Sequence, residues 1–482
     1  MKQVKAIIDD KIYIPIFDIE KFDRYKIMEE FSFTIPSYQG DDEVINLSSL
    51  RKINGEGFLT LPPNKSSVSD VLVKFGYEVV YEDNRCDVQV ENFPKVNLEF
   101  REKPINQKEI YKKLEETGFD SILSVDTGGG KTTMSIKIAE LLKAPMLFIA
   151  SQVTYIKNFE KEVQEFTQGG LKENHCTINS EWLDNGAEIK PFMSCSTKAL
   201  QNPDIVDALY NRFSFMVADE VHKSVTGEKT REAMYRLNPK YTLFLSATYQ
   251  HKAKGFSEKL LSNNVVTVNE KIDFNIMVKP IKVDFPMSFK KYMWSISQNY
   301  HEKKAAIANN EDFMKALADT VAFGVSKGRY AMIYNTSQDF HENISEELES
   351  RGVKTAIINS NTKEDKGKTL KRFENGEIDV LIGGGSLTAG VSLYRLSTIY
   401  DTELSMSPND SKQLLGRLKR KKEKVCPKSK LYFKFYFAQI NELYQYESWT
   451  EALTPLPIIK WFKTTKLKTD EILPFVKSIG KK

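Results

Sequence analysis

An apolar, β-rich run at 121–125 leads directly into Asp126, Thr127, Gly128, Gly129, Gly130, Lys131, Thr132 and Thr133, and a helical stretch over 134–143 follows. Three consecutive glycines let the backbone turn tightly enough for successive N–H groups to face one anion, and the helix aims its positive end at the same point. That is a phosphate-binding loop. Lys131 is placed to meet the outer phosphates of a nucleoside triphosphate, with Thr132 as a Mg²⁺ ligand. The strict form of the loop also has glycine where Val125 stands, but the glycines retained are those beside the lysine. Farther along, the apolar run 215–218 ends in Asp219, Glu220, Val221 and His222. Two carboxylates at the C-terminal end of a strand stand where open parallel sheets bind ligands. Asp219 is suited to hold Mg²⁺ through water, and Glu220 to orient and deprotonate an attacking water. Together the two segments predict ATP hydrolysis assisted by Mg²⁺.

With Ser246, Ala247 and Thr248 closing the next apolar run, these segments resemble motifs I, II and III of the superfamily 2 helicases. The resemblance extends along most of the chain. Gln107 sits where that family places an adenine-reading glutamine, and Thr127 to Thr133 become its nucleotide-binding loop. The stretch 411–420 is similar to the family's motif VI, with Gln413, Gly416, Arg417 and Arg420 all matching. Arginines arriving from a second domain supply cationic donors to transition-state charge only when the cleft closes, so closure and hydrolysis are coupled. Two departures are Lys419, where many relatives have glycine, and Ser392 in the motif V segment 387–392, where aspartate is frequent. By the same resemblance, Ser151, Gln152, Thr197, Thr336, Thr388 and Gly390 hold the sugar-phosphate backbone of one strand, without reading sequence. His222, Ser246 and Thr248 are expected to couple the two sites. The compact motor, the DEVH box and the small N-terminal segment look like phage recombination and repair helicases of the UvsW type, which implies DNA, forked or branched, as the partner. An RNA helicase, the translocating subunit of a restriction system and a nucleotide-gated clamp remain alternatives. The residues after Thr454 are too few for the nuclease module a restriction subunit needs.

These residues need a scaffold, and the chain supplies one. From 119 to 248, short apolar runs at 121–125, 146–150, 191–194, 215–218 and 241–246 alternate with helical stretches. Runs so short and so uniformly apolar suit strands covered on both faces, which implies a parallel sheet of βαβ units. A second series follows at 329–334, 355–359, 378–382, 397–400 and 431–437, after a strand near 279–285 and helices over 288–325. The fold class is therefore α/β: two tandem RecA-like parallel-sheet motor domains over 96–262 and 263–450. A small N-terminal α+β accessory domain over 1–95 precedes them, and a basic C-terminal extension over 451–482 follows. Within the first 95 residues a helix is expected at 19–30 and strands at 31–35, 57–61 and 77–81; this domain is expected to recognise branched DNA and to be dispensable for the motor. The composition fits a folded protein, with 482 residues, 41% hydrophobic and 28% charged. No apolar run is long enough to span a membrane, and the four cysteines form no CxxC pair, so a reducing cytoplasm is expected; the chain is expected to act as a monomer. A net charge of +4 hides a local excess: the stretch 417–430 carries Arg417, Lys419, Arg420, Lys421, Lys422, Lys424, Lys428 and Lys430 against Glu423, a footprint suited to polyanions.

Overall fold

The computed structural model describes the chain apart from residues 36–42, 103–105, 126–129, 221–226, 247–258, 260, 263, 269–275, 297–299, 360, 363–364, 389–392, 405–407, 419–428, 438–458, 462–464 and 480–482. It divides into two compact units, Met1–Lys271 and Ile272–Lys482.

The first unit opens with β1 (Lys2–Ile8), β2 (Ile12–Pro15), β3 (Ser32–Ile35), β4 (Glu43–Asn46), β5 (Ser49–Ile53), β6 (Glu56–Leu61) and β7 (Tyr77–Asp83). Five of them form a mixed sheet in the order β5-β6-β2-β1-β7, while β3 and β4 pair with each other. Alternation drives this sheet's packing: Val4, Ala6 and Ile8 of β1 are buried, whereas Lys5 between them is exposed. The helix Lys65–Lys74 covers it, started by Asn64, whose side chain accepts from the Ser67 amide at 3.1 Å.

The same unit holds β8 (Asp120–Val125), β9 (Met146–Ala150), β10 (His175–Ile178), β11 (Phe192–Ser196), β12 (Phe215–Asp219), β13 (Tyr241–Ser246) and β14 (Val265–Val268), in the order β10-β11-β9-β12-β13-β8-β14. Every pairing described in this sheet is parallel. Both faces are covered, as the continuous apolar runs require. Leu123, Phe148, Val217 and Leu243 enter one core. Ile122, Leu147, Met216 and Phe244 enter the other, which is continuous with Val4, Ile8, Leu61 and Leu72 of the N-terminal sheet and its helix.

In the second unit, β15 (Ile276–Asp284), β16 (Ala331–Tyr334), β17 (Thr355–Ile358), β18 (Val380–Gly383), β19 (Thr398–Asp401), β20 (Lys430–Phe437) and β21 (Ile459–Trp461) run in the order β17-β18-β16-β19-β20-β15-β21. The strand β22 (Thr465–Lys468) also pairs with β15. Successive residues of β16 go to opposite cores, Ala331 and Ile333 to one, Met332 and Tyr334 to the other. Through β21 and β22, residues that read in sequence as an extension enter the second sheet. Among the described residues, no helix is long and apolar enough to cross a membrane.

Candidate functional site

The strand order brings the predicted phosphate and acid residues to one edge. In the first sheet β8 and β12 flank β13, and their C-terminal ends align, with Ser246 opposite Ser124 and Leu245 opposite Asp219. Gly130 begins the helix Lys131–Leu142 with φ +74°. A β-carbon there would lie 2.7 Å from Gln107 Nε2, 2.9 Å from Arg101 Nη2 and 2.9 Å from Thr133 Oγ1, so these side chains crowd the loop, and the left-handed backbone favours glycine. Those contacts put Gln107 against the loop. The glutamine is 2% exposed and clamped: its backbone N–H donates to Arg101 O at 2.8 Å, and its side-chain Oε1 accepts from the Arg101 backbone N–H at 2.9 Å. Lys131 Nζ donates to Val125 O at 2.6 Å, and Thr133 Oγ1 to Gly130 O at 2.9 Å. Thr132 is half-buried on the first turn of the helix. Thr127, Gly128 and Gly129 lie outside the described residues.

Asp219 and Glu220 are buried at the end of β12, and the Glu220 amide donates to Asp219 Oδ1 at 3.0 Å. Glu220 has φ +47°, a left-handed backbone that a side chain adopts at a cost of roughly 1–3 kcal/mol. Burial, and then the Glu220 charge, raises the Asp219 carboxyl above the usual carboxylate range, while the Lys131 ammonium opposes the shift. Lysine and acid therefore share one field. A third acid joins them that sequence reading missed: Glu162, on the helix Val153–Phe166, is pushed up to about 7 by burial and then by Asp219. Among the described residues its buried Oε2 has no hydrogen-bond partner, nor has Ser151 Oγ. Nothing in the sequence around Glu162 separates it from the other acids of that helix. Among the described residues, no group of three or more His, Cys, Asp or Glu side chains forms a metal cage. A buried, destabilised carboxylate beside a lysine, with the Thr132 hydroxyl one residue on, fits Mg²⁺, which takes few protein ligands and shares the rest with phosphate and water. Ser246, fully buried, ends the strand between loop and acids; His222 and Thr248 are outside the described residues.

The backbone-contact candidates occupy other strand ends. Ser151 and Gln152 follow β9, and Thr197 follows β11, neighbouring strands on the side of β12 away from the phosphate loop. The Thr197 amide donates to Ala150 O at 3.1 Å, and Ser196 Oγ accepts from the Ala199 amide at 3.1 Å. In the second unit Thr336 follows β16, and the short helix Gly385–Thr388 follows β18 beside it. A β-carbon on Gly384 would come within 3.0 Å of Asn335 O and 3.3 Å of Thr336 Cα, so these two turns touch. The Thr336 amide donates to Glu403 Oε2 at 2.6 Å, Lys304 Nζ bonds Thr336 Oγ1, and Lys304 pairs with Glu403 at 2.7 Å. Lys304 and Glu403 therefore hold the Thr336 turn in place, a pairing visible only through tertiary contact. Gly390 is outside the described residues, as is the Thr388 side chain.

Ser411, Gln413 and Arg417 lie on the helix Pro408–Leu418, each 3% exposed, and Leu414, Leu415 and Leu418 anchor that helix in the core. Lys366 is near enough to Arg417 that the guanidinium, after burial, lowers the Lys366 ammonium. Arg420 and the basic run to Lys428 are outside the described residues.

Residues 101–251 match the family described as the res subunit of type III restriction enzymes, and residues 312–422 match the helicase conserved C-terminal domain. A curated relative, the helicase-family protein 109L of Invertebrate iridescent virus 3, is 27% identical over 129 residues, a match spanning 26% of this chain and 38% of that protein. Dbp5 of S. cerevisiae, solved bound to RNA and ADP BeF3, aligns with a TM-score of 0.51 and 14% identity over 77% of this chain and 96% of its own. The alignment with T4 UvsW spans 97% of this chain and 100% of that one, with 12% identity and a TM-score of 0.39. With both motor domains matched in chain order, each on its own parallel sheet, the chain belongs to superfamily 2 of the helicases and carries both of their conserved domains.

Proposed function

We propose that this chain is an ATP-dependent DNA translocase that unwinds or branch-migrates forked and junction DNA, acting as a cytoplasmic monomer. The observation that carries the reading is the strand order of the first sheet. The phosphate loop and the acids occupy the ends of β8 and β12, the backbone-contact candidates the ends of β9 and β11, so one rigid element holds both sets. Gly130 and the helix start bind phosphate, Lys131 neutralises it, and Gln107 is placed beside the loop to meet the base. Mg²⁺ held by Thr132 and Asp219 supplies further charge neutralisation when bound. Glu220 takes the proton of the attacking water, and Arg417 and Arg420 from the second motor domain meet the charge that develops in the transition state. Nucleotide turnover thus sets and resets the grip of Ser151, Gln152, Thr197, Thr336, Thr388 and Gly390 on one strand's backbone. Branch migration replaces each broken base pair by a new one, so its net free energy is near zero and a modest motor suffices, as in balanced strand exchange. Residues 1–95 act as the accessory domain for branched DNA.

An RNA helicase is the second reading, favoured by the RNA-bound state of Dbp5. ATPase stimulation by matched DNA and RNA oligonucleotides separates the two. Unwinding of fork, four-way junction and blunt duplex, compared in one assay, tests the branched substrate. Equal stimulation by RNA, or preference for blunt duplex, overturns the corresponding half of the proposal.

A further inference from the structure

A charged side chain taken out of water ordinarily meets an opposite charge, because an unpaired buried ion is costly. Arg231, on the helix Glu228–Arg236, does not. It is 6% exposed, its Nε is buried with no hydrogen-bond partner, and it pairs with no carboxylate among the described residues, its neighbour Glu232 being taken by Lys11 at 2.7 Å. The arginine lines a cavity between that helix, the N-terminal sheet and the start of β8, at the end of the strand opposite the phosphate loop. A volume of about 40 Å³ gives room for about three waters, or for one small molecule in their place. Tyr235 OH and Asn238 Oδ1 stand on the same wall, also buried and without partners. Asn238 uses its amide nitrogen elsewhere, donating to Asn211 Oδ1 at 3.1 Å, so its oxygen needs a donor. The other charges on the wall have partners. Arg85 pairs with Asp83 at 2.7 Å, Asp120 accepts from Thr242 Oγ1 at 2.8 Å, and Asp9 accepts from the Asp10 backbone N–H at 3.0 Å.

We infer that this cavity binds a small oxyanion that still carries a proton, of the hydrogenphosphate or bicarbonate type. An anionic oxygen gives Arg231 the counter-charge that water lacks, and the Tyr235 hydroxyl donates to the same molecule. The occupant's own proton is needed on the other side. Asn238 Oδ1 accepts but cannot donate, and Asp9 and Asp120 stand nearby with carboxyls raised by burial, so an oxyanion stripped of every O–H meets acceptors there with nothing to offer them. A cation is refused by Arg231 itself. Asp9 comes from the N-terminal sheet domain and Arg231, Tyr235 and Asn238 from the first motor domain, so an occupant of this cavity ties the two together. The inference does not depend on which nucleic acid the motor takes.

The test titrates inorganic phosphate, bicarbonate and sulfate into the full chain by calorimetry at fixed ionic strength, with a saturating non-hydrolysable ATP analogue filling the phosphate positions of the nucleotide loop. The wild type is expected to bind phosphate or bicarbonate, and to bind sulfate, which has no O–H at neutral pH, about tenfold more weakly or worse. At about tenfold excess over its Kd the bound anion should raise the thermal midpoint by about 2–4 °C. Tyr235→Phe removes a hydroxyl that has no partner in the protein, so the anion-free midpoint should hold while binding weakens about tenfold. Arg231→Met should abolish binding and leave the anion-free midpoint unchanged or higher, because it removes an uncompensated charge. Sulfate binding as tight as phosphate overturns the protonated occupant, and failure of both phosphate and bicarbonate to bind leaves water alone in the cavity and overturns the site. So does binding that survives both substitutions, which puts the anion elsewhere on the chain, or an Arg231→Met chain with a lowered midpoint and an undiminished anion response, which makes the arginine structural.

Discussion

Lys131 and Glu220 sit at the same sheet edge, and in the proposed mechanism they act at different moments. On the proposed function Lys131 meets phosphate charge in ground and transition states alike, so Lys131→Ala is expected to reduce ATP turnover by about 10²–10³-fold and to weaken nucleotide binding. Glu220→Gln removes only the base that takes the water's proton, so turnover should fall by about 10²–10⁴-fold while ATP binding persists. Equilibrium binding of a fluorescent ATP analogue beside steady-state hydrolysis distinguishes these, and near-normal turnover in either variant removes the site. Arg417→Ala belongs with Glu220→Gln: a loss in kcat of about 10³-fold or more is expected with little change in nucleotide affinity. A raised nucleotide Kd at unchanged kcat would make Arg417 a ground-state binder. The proposed roles of Lys131, Asp219 and Arg417 can be read in the sequence because that chemistry depends on near neighbours: glycines before a lysine, a strand before an acid pair, a glutamine four residues before an arginine. Those of Glu162, Lys304 and Glu403 cannot, because each residue acquires its role from a partner distant in the chain. Glu162 lies near Asp219, and Lys304 meets Thr336 and Glu403.

At the scale of elements, strands covered on both faces announce themselves as apolar runs, and β9 and β13 have the expected bounds. Some of the strands that escaped sequence reading lie where that signal fades. The edge strand β10 buries His175 and Ile178 but leaves Cys176 and Thr177 half-exposed, and β21 and β22 lie in a lysine-rich stretch that reads as solvated. A consequence of the β10 edge can be measured. His175 Nε2 is 2.9 Å from Ser194 Oγ, and burial, then Lys190, lowers its imidazole from 6.5 to about 4. The unfolded chain therefore binds this proton more tightly than the folded one, so stability is complete above about pH 6.5 and falls as pH drops towards 4, by roughly 3 kcal/mol for this group. Thermal midpoints recorded across that window should slope less steeply in His175→Gln than in the wild type. Identical slopes would show that the imidazole does not titrate against folding.

For the whole molecule, the question is whether the first 95 residues can be removed. Every motif of the ATP site lies beyond them, which on sequence grounds makes a chain starting at Val96 a complete motor. Packing argues the other way. Val4, Ile8, Ile12, Leu59, Leu61, Val68 and Leu72 belong to the same continuous core as Ile122, Met216, Phe244 and Leu261 of the first motor sheet. Each such aliphatic side chain stabilises by about 1.5–3 kcal/mol when buried, and removing one side of the core leaves the other in water. The connecting segment is also stitched to the motor: the Cys86 amide donates to Asn238 O at 2.9 Å, the Val90 amide to Lys143 O at 2.8 Å and Ser214 Oγ to Val88 O at 2.7 Å. Lys11, 7% exposed, pairs with Glu232 at 2.7 Å, so truncation strips that acid of its cation. The chain starting at Val96 is therefore expected to expose an apolar face, bind a hydrophobic dye in its native state, and show a lower thermal midpoint and a loss of soluble yield before any question of substrate arises. A soluble truncated chain with an unchanged midpoint and full single-strand-stimulated ATPase would prove that the shared core is dispensable. In the expected case deletion confounds covering with recognition, and only exposed-surface substitutions that leave the core intact can test whether the N-terminal domain takes part in recognising nucleic acid.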